Sequence, residues 1–284
     1  MQIKMEAHEL LKLYQAGERD FQGCNLRGEF LGGADLSGAN LRGSDLSMAN
    51  LIGASLVRVN LREANLTDAQ LQANLTEANL IQANLTRANL TAAKLPYASL
   101  RAANLSNANL TASELQFSLL SETELRNADL TRAQLVNCTL SRANLTNAIL
   151  EQANLQWANL SNSILIQANL YQAKLVKAVL DGVNLSGADA READFSSAHL
   201  SGSHLAHTML QDAKLREANL SWSSLPKADL TRAKLTKANL CWSNLQGANL
   251  TDAVMVDANL NETRLTNANL NRAVMPDGSR GKMP

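Results

Sequence analysis

From Ala34 to Met275 the chain repeats every five residues, as in ADLSG, ANLRG, SDLSM and ANLIG over residues 34–53. With the central Leu called position i, centres run from Phe21 and Leu26 at every fifth residue to Leu71. One four-residue step leads to Leu75, and the five-residue spacing then holds to Met275. Leu fills 47 of the 52 centres, the exceptions being Phe21, Ala190, Phe195, Met255 and Met275. At i−2, 36 of the 49 positions between Ala34 and Ala273 are Ala, and the rest are Ser, Thr, Val or Cys. Over that span charge is confined to i−1, i+1 and i+2, and Asn or Asp dominates i−1.

These preferences set directions. Positions i and i−2 point inward and i−1 between them points out, a strand-like alternation over three residues. Polar residues at both i+1 and i+2 stop the strand from continuing. A helix fails as well, because a five-residue step advances about 500° and smears the Leu stripe around the cylinder. A short extended segment followed by a turn fits. The composition agrees: the chain of 284 residues is 45% hydrophobic but only 4% aromatic, so one packing problem recurs along it.

The A(D/N)LXX pattern, carried by ADLSG, ANLRG and their successors over roughly residues 19 to 275, resembles that of the pentapeptide repeat family. The resemblance implies an all-β solenoid, a right-handed quadrilateral β-helix in which four pentapeptides make one square coil. The 52 centres then predict about 13 coils, a rod of roughly 60 Å at the strand spacing. Three segments follow: a capping helix over 1–18, repeats over 19–275 with a phase slip near 71–75, and a tail over 276–284.

Local departures give further expectations. The slip predicts a distorted corner, with Ala73 serving two repeats. Ala190 leaves room that the neighbouring centre Phe195 fills. Gly23, Gly28, Gly33, Gly38 and Gly43 all fall at i+2, where a positive φ permits a type II turn. Later coils mostly lack Gly there and are expected to turn differently. Ala7, Leu10, Leu11 and Tyr14 recur at helical spacing, predicting an amphipathic helix over about 4–16 with Gly17 as its stop. This helix would cover the apolar disc and open strand edges of the first coil. The C-terminal PDGSRGKMP is too short to cover its own disc, so an end-to-end homodimer through the C-terminal coil is expected there.

Functional motifs are scarce. There is no Gly-rich phosphate loop, no HExxH and no GxSxG. His199 and His204 lie at i−1 on adjacent faces and point apart, which argues against a metal site; no cofactor is expected. Cys24 and Cys138 take the place of buried Ala at i−2, and Cys241 lies at i+1, expected on the surface. The net charge is +0, from 26 Lys+Arg and 26 Asp+Glu, which gives no support for nucleic-acid binding. No apolar run reaches the length of a membrane span, and the N-terminus does not read as a signal peptide, so a cytoplasmic location is expected.

The surface remains. Residues 20 apart should stack in neighbouring coils, pairing Tyr97 with Phe117 and Trp222 with Trp242, with Trp157 further along the first column. These five are the candidate contacts for an unidentified protein partner. Lys94, Lys174, Lys214 and Lys234 share an i−1 column interrupted by Glu114 and Asp194, which reads as a solvated face. The expected function is a non-enzymatic interaction scaffold. The N-terminal cap running into GERDF and the MPDGS ending resemble members from photosynthetic bacteria. The alternative is a DNA-mimicking binder of DNA gyrase, like the quinolone-protecting members; the balanced charge argues against it.

Overall fold

Most corners begin with an Asn or Asp at i−1. Its side-chain oxygen accepts the N–H of residue i+1, as from Ser37 to Asp35 Oδ1 at 3.0 Å and from Tyr171 to Asn169 Oδ1 at 2.9 Å. The turn is closed by the N–H of i+3 donating to the carbonyl of i, as from Ala39 to Leu36 at 3.0 Å. Asn and Asp suit this place because a short carbonyl or carboxylate can satisfy the backbone two residues on. In this computed structural model, which describes residues 3–281, the unit repeats through two compact bodies, Met1–Asn144 and Leu145–Pro284.

The i+2 residue corrects the sequence expectation. It is left-handed at every repeat except those centred on Leu71 and Met275, whether or not it is Gly. Gly38 has φ +70°, but Ala102 has +55°, Asn107 +60° and Trp222 +60°. Coils without Gly therefore turn the same way. The i+2 N–H donates to the i+1 carbonyl of the next coil, as from Gln82 to Arg101 at 3.0 Å, so the ladder dictates the corner. A Cβ there meets open space, as Gly23, Gly28 and Gly38 show, so bulky side chains fit.

Within Met1–Asn144, parallel pairings run from Asp20 with Asn40 to Glu124 with Asn144; within Leu145–Pro284 they run from Ile149 with Asn169 to Val254 with Val274. Partners are 20 residues apart, so one coil has four sides of five residues. Each pairing is two backbone bonds, as for Asp35 with Ser55, from Leu36 N to Ser55 O at 2.9 Å and from Ser55 N to Ala34 O at 2.9 Å. The polar backbone is thus satisfied between coils.

The core follows the pattern. Leu at i is sealed from solvent along both units until the last coil, and so is Ala at i−2 apart from the half-buried Ala34 in the first coil. Hydroxyl groups at i−2 commonly find a turn carbonyl, as Ser118 Oγ donates to Leu95 O at 2.6 Å and Thr208 Oγ1 to Leu185 O at 2.8 Å, although Ser113 Oγ is buried without one. Cys138 Sγ does the same to Leu115 O at 2.7 Å. Phe195 and Ala190, consecutive centres, are both fully buried.

The short step is taken up at one corner. Ser55 with Asn74 through Gln70 with Asn89 are 19 apart, and the spacing returns to 20 at Asn74 with Lys94. Ala73 N donates to Leu71 O at 2.7 Å, a turn one residue tighter than the others, and Gln72 Oε1 is left buried without a partner.

The two ends differ. Strand β1 (Ile3–Lys4) pairs in parallel with β2 (Cys24–Asn25), and helix α1 (Ala7–Gln15) follows it. The helix is shorter than its periodicity suggested because residues 3–4 take the open edge of the first coil instead. Glu29 Oε2 accepts the Ala7 N–H at 2.8 Å at the helix start, and Tyr14 Oη donates to Ser37 O at 2.8 Å. Gly17, at φ +101°, follows the last turn. Leu10 and all four centres of the first coil, Phe21, Leu26, Leu31 and Leu36, are buried. At the other end Leu260, Leu265, Leu270 and Met275 are half-buried. The described part of the tail folds back on one side, pairing Val274 with Arg280 antiparallel, with Gly281 N donating to Ala273 O at 2.7 Å. Residues 282–284 of the expected tail lie outside the described residues.

Candidate interaction surface

The five aromatic residues singled out above stand on the outward, left-handed i+2 positions. In Met1–Asn144, Tyr97 and Phe117 stack with ring centroids 5.1 Å apart and planes 6° from parallel. In Leu145–Pro284, Trp222 and Trp242 stack at 5.2 Å and 6°. Trp222 is 63% exposed, a large apolar ring held in water by a rigid corner. The 20-residue register brings each pair together; it places Trp157 apart from Trp222 and Trp242, on a different column.

Trp157 has a partner that sequence reading missed. Lys177 Nζ lies 4.3 Å above its ring, a cation–π contact between adjacent coils. The signal was present, since Lys177 is 20 residues on, at the same i+2 place. Phe30 was also missed. It stands at i−1, where Asn or Asp is the rule, and is 70% exposed.

The concave features are shallow. An open groove of about 550 Å³ is lined by Tyr171, Arg191, Glu192, Gln211, Asp212 and Arg232. Its charges are spoken for. Arg191 pairs with Asp189 and Arg232 with Asp212, each at 2.6 Å. Hydrogen bonding from Arg232 holds the Asp212 carboxyl below its ordinary range, and the acceptor Glu192 raises the Tyr171 phenol. Among the described residues no group of three or more His, Cys, Asp or Glu could hold a metal ion. Cys241 is half-buried, more covered than its i+1 place suggested.

The pentapeptide repeat profile, described as pentapeptide repeats (8 copies), matches residues 20–72, 73–111 and 113–272 in overlapping segments. The chain belongs to the pentapeptide repeat family. Membership carries the right-handed quadrilateral β-helix, and the four-sided, 20-residue coil is its geometry. Among solved structures the chain is similar to HetL, a pentapeptide repeat protein involved in heterocyst differentiation regulation in Nostoc sp. strain PCC 7120. They share 33% identity over 98% of this chain and 100% of that one, with a TM-score of 0.29. QnrB1, a plasmid-mediated fluoroquinolone resistance protein, is 14% identical over 66% of this chain and 88% of its own, with a TM-score of 0.38. A pentapeptide repeat protein of the Arabidopsis thaliana thylakoid lumen is 29% identical over 39% of this chain and 71% of its own, with a TM-score of 0.20. No curated protein matches the chain. No helix among the described residues is long and apolar enough to cross a membrane.

Proposed function

We propose that this pentapeptide repeat protein is a non-enzymatic scaffold, about 13 coils long and closed at its N-terminal end by α1, that presents aromatic corners to a protein partner. The observation that carries this reading is the exposed Trp222–Trp242 stack. The core uses Leu and Ala almost throughout, so two adjacent Trp rings facing water are more than the fold requires. Rigid aromatic rings lose little entropy on binding and dominate the energetics of interfaces. The test is capture of partners from the native host by the wild-type protein and by a Trp222→Ala/Trp242→Ala variant of unchanged thermal stability. A defined partner retained by the first and lost by the second supports the reading; equal capture by both overturns it.

The half-open C-terminal coil supports an end-to-end homodimer as a second feature of the same scaffold. The gyrase alternative calls for a surface of one acidic sign. The balanced composition does not supply one, and gyrase supercoiling is expected to be unaffected by micromolar protein.

A further inference from the structure

The neutral total conceals a segregation of charge within Leu145–Pro284. The ladders sort the outward residues of this unit onto four sides, each running through six coils. The side on the column from Ile149 to Asn249 carries two cations against six acids. The next, on the column from Asn154 to Val254, carries six cations against three acids. The side of Asn159 to Asn259 has two acids and no cation, and the side of Ile164 to Arg264 two cations and no acid. The sign therefore alternates around the coil.

The second side is the most cationic, with Lys174, Lys177, Lys214, Arg216, Lys234 and Lys237. Asp194, the acid that interrupts its i−1 column, is turned to local use. It accepts from Ser196 N at 3.0 Å and Ser196 Oγ at 2.6 Å, and meets Lys214 at 3.4 Å. Glu217 meets Arg216 at 3.2 Å. Lys174, Lys234 and Lys237 make no ion pair among the described residues. The ladder sets Lys214 directly beside Lys234, a like-charge neighbour pair that costs stability. An open cavity of about 380 Å³ lies between them, lined by Ser196, Lys214, Arg216, Lys234, Thr236 and Val254. Cations rim it, and Val254 with the Thr236 methyl supplies an apolar patch.

We propose that this side docks an extended acidic segment of a partner protein, with carboxylates on Lys214, Arg216 and Lys234 and an apolar residue against Val254. The proposal rests on the scaffold reading and names the chemistry of its partner. Charge complementarity picks the occupant. Both flanking sides are acidic, so a polyanion as wide as a nucleic-acid duplex would overhang repulsive edges, whereas a single extended strand stays within one side.

The test uses the full chain and a fluorescein-labelled 12-residue Glu/Asp-rich peptide, read by anisotropy. Binding is expected at low salt and is lost at about 0.5 M salt as the charges are screened. Lys214→Glu/Lys234→Glu should weaken it by about tenfold or more, while Lys227→Glu/Arg264→Glu on the opposite side should leave it unchanged. No binding, equal weakening by both reversals, or tighter binding of an oligonucleotide of equal charge would overturn the proposal. Unchanged peptide binding by Trp222→Ala/Trp242→Ala separates this surface from the aromatic corner, so either can fail alone.

Discussion

At the scale of single residues, the i+2 corner shows what the repeat demands of a side chain. Ala102 holds φ +55° because its N–H must reach Ser121 O, at 3.0 Å, in the next coil. Left-handed backbone costs a non-glycine residue roughly 1–2 kcal/mol, which Gly avoids at the expense of a more flexible unfolded chain. Ala102→Gly is therefore expected to stabilise by up to about 1 kcal/mol, while the β-branched Ala102→Val destabilises by about as much; chemical denaturation measures both. Asn at this place, as in Asn107, is the compromise that tolerates αL. The expectation of different turns in later coils failed because it judged each residue by its own preference. The ladder outweighs that preference at every coil. Cys138 is a second case. Burial pushes its thiol up to about 12 from 9.0. The folded state thus keeps a proton that the unfolded chain gives up, so the group's contribution to stability is full below about pH 9 and declines as pH rises from there towards 12. Cys138→Ala should flatten that alkaline decline in thermal melts, and a decline of unchanged slope would contradict the assignment.

At the scale of elements, α1 and the tail decide how the ends are finished. The amphipathic spacing of Leu10, Leu11 and Tyr14 made the helix legible, and Gly17 marked its end. The strand β1 was not legible, because two residues carry no periodicity and their pairing with Cys24–Asn25 is a matter of proximity. Together β1 and α1 leave the four first-coil centres buried, which is the support for a capping role. Deleting residues 1–17 should expose Phe21, Leu26, Leu31 and Leu36 with an unpaired edge, so aggregation is expected. A variant that stays monomeric in light scattering and melts like the wild type would refute the cap. The slip at Leu71–Leu75 was readable as a tight corner, but not the burial of an unpartnered Gln72 Oε1, which depends on the neighbouring coil.

At the scale of the whole chain, the open C-terminal coil and the distribution of charge carry the consequences. Leu260, Leu265 and Leu270 are half-buried, and their N–H groups make no backbone hydrogen bond among the described residues. An end-to-end homodimer would cover both. Sedimentation equilibrium is expected to show a dimer that Leu265→Glu reduces to monomer; monomer mass for the wild type at high concentration would exclude it. As a total, neutral charge supports neither nucleic-acid binding nor mimicry of a polyanion. Resolved by side in Leu145–Pro284, it becomes alternating acidic and basic faces, and one of these is a docking surface with its own test.

The sequence alone determined the period, the inward and outward positions and the helix near the N-terminus, while the 20-residue register came from the family resemblance and is seen in the ladder. The first three rest on a repeated local pattern whose meaning is independent of neighbours. The common left-handed corner, the Lys177–Trp157 contact, the unequal finish of the two ends and the role of Asp194 were decided only by the tertiary structure. The corner, the Lys177–Trp157 contact and the Lys214–Asp194 pair join residues one coil apart. A short sequence window does not contain those neighbours, and the stacked coil places them within about 5 Å.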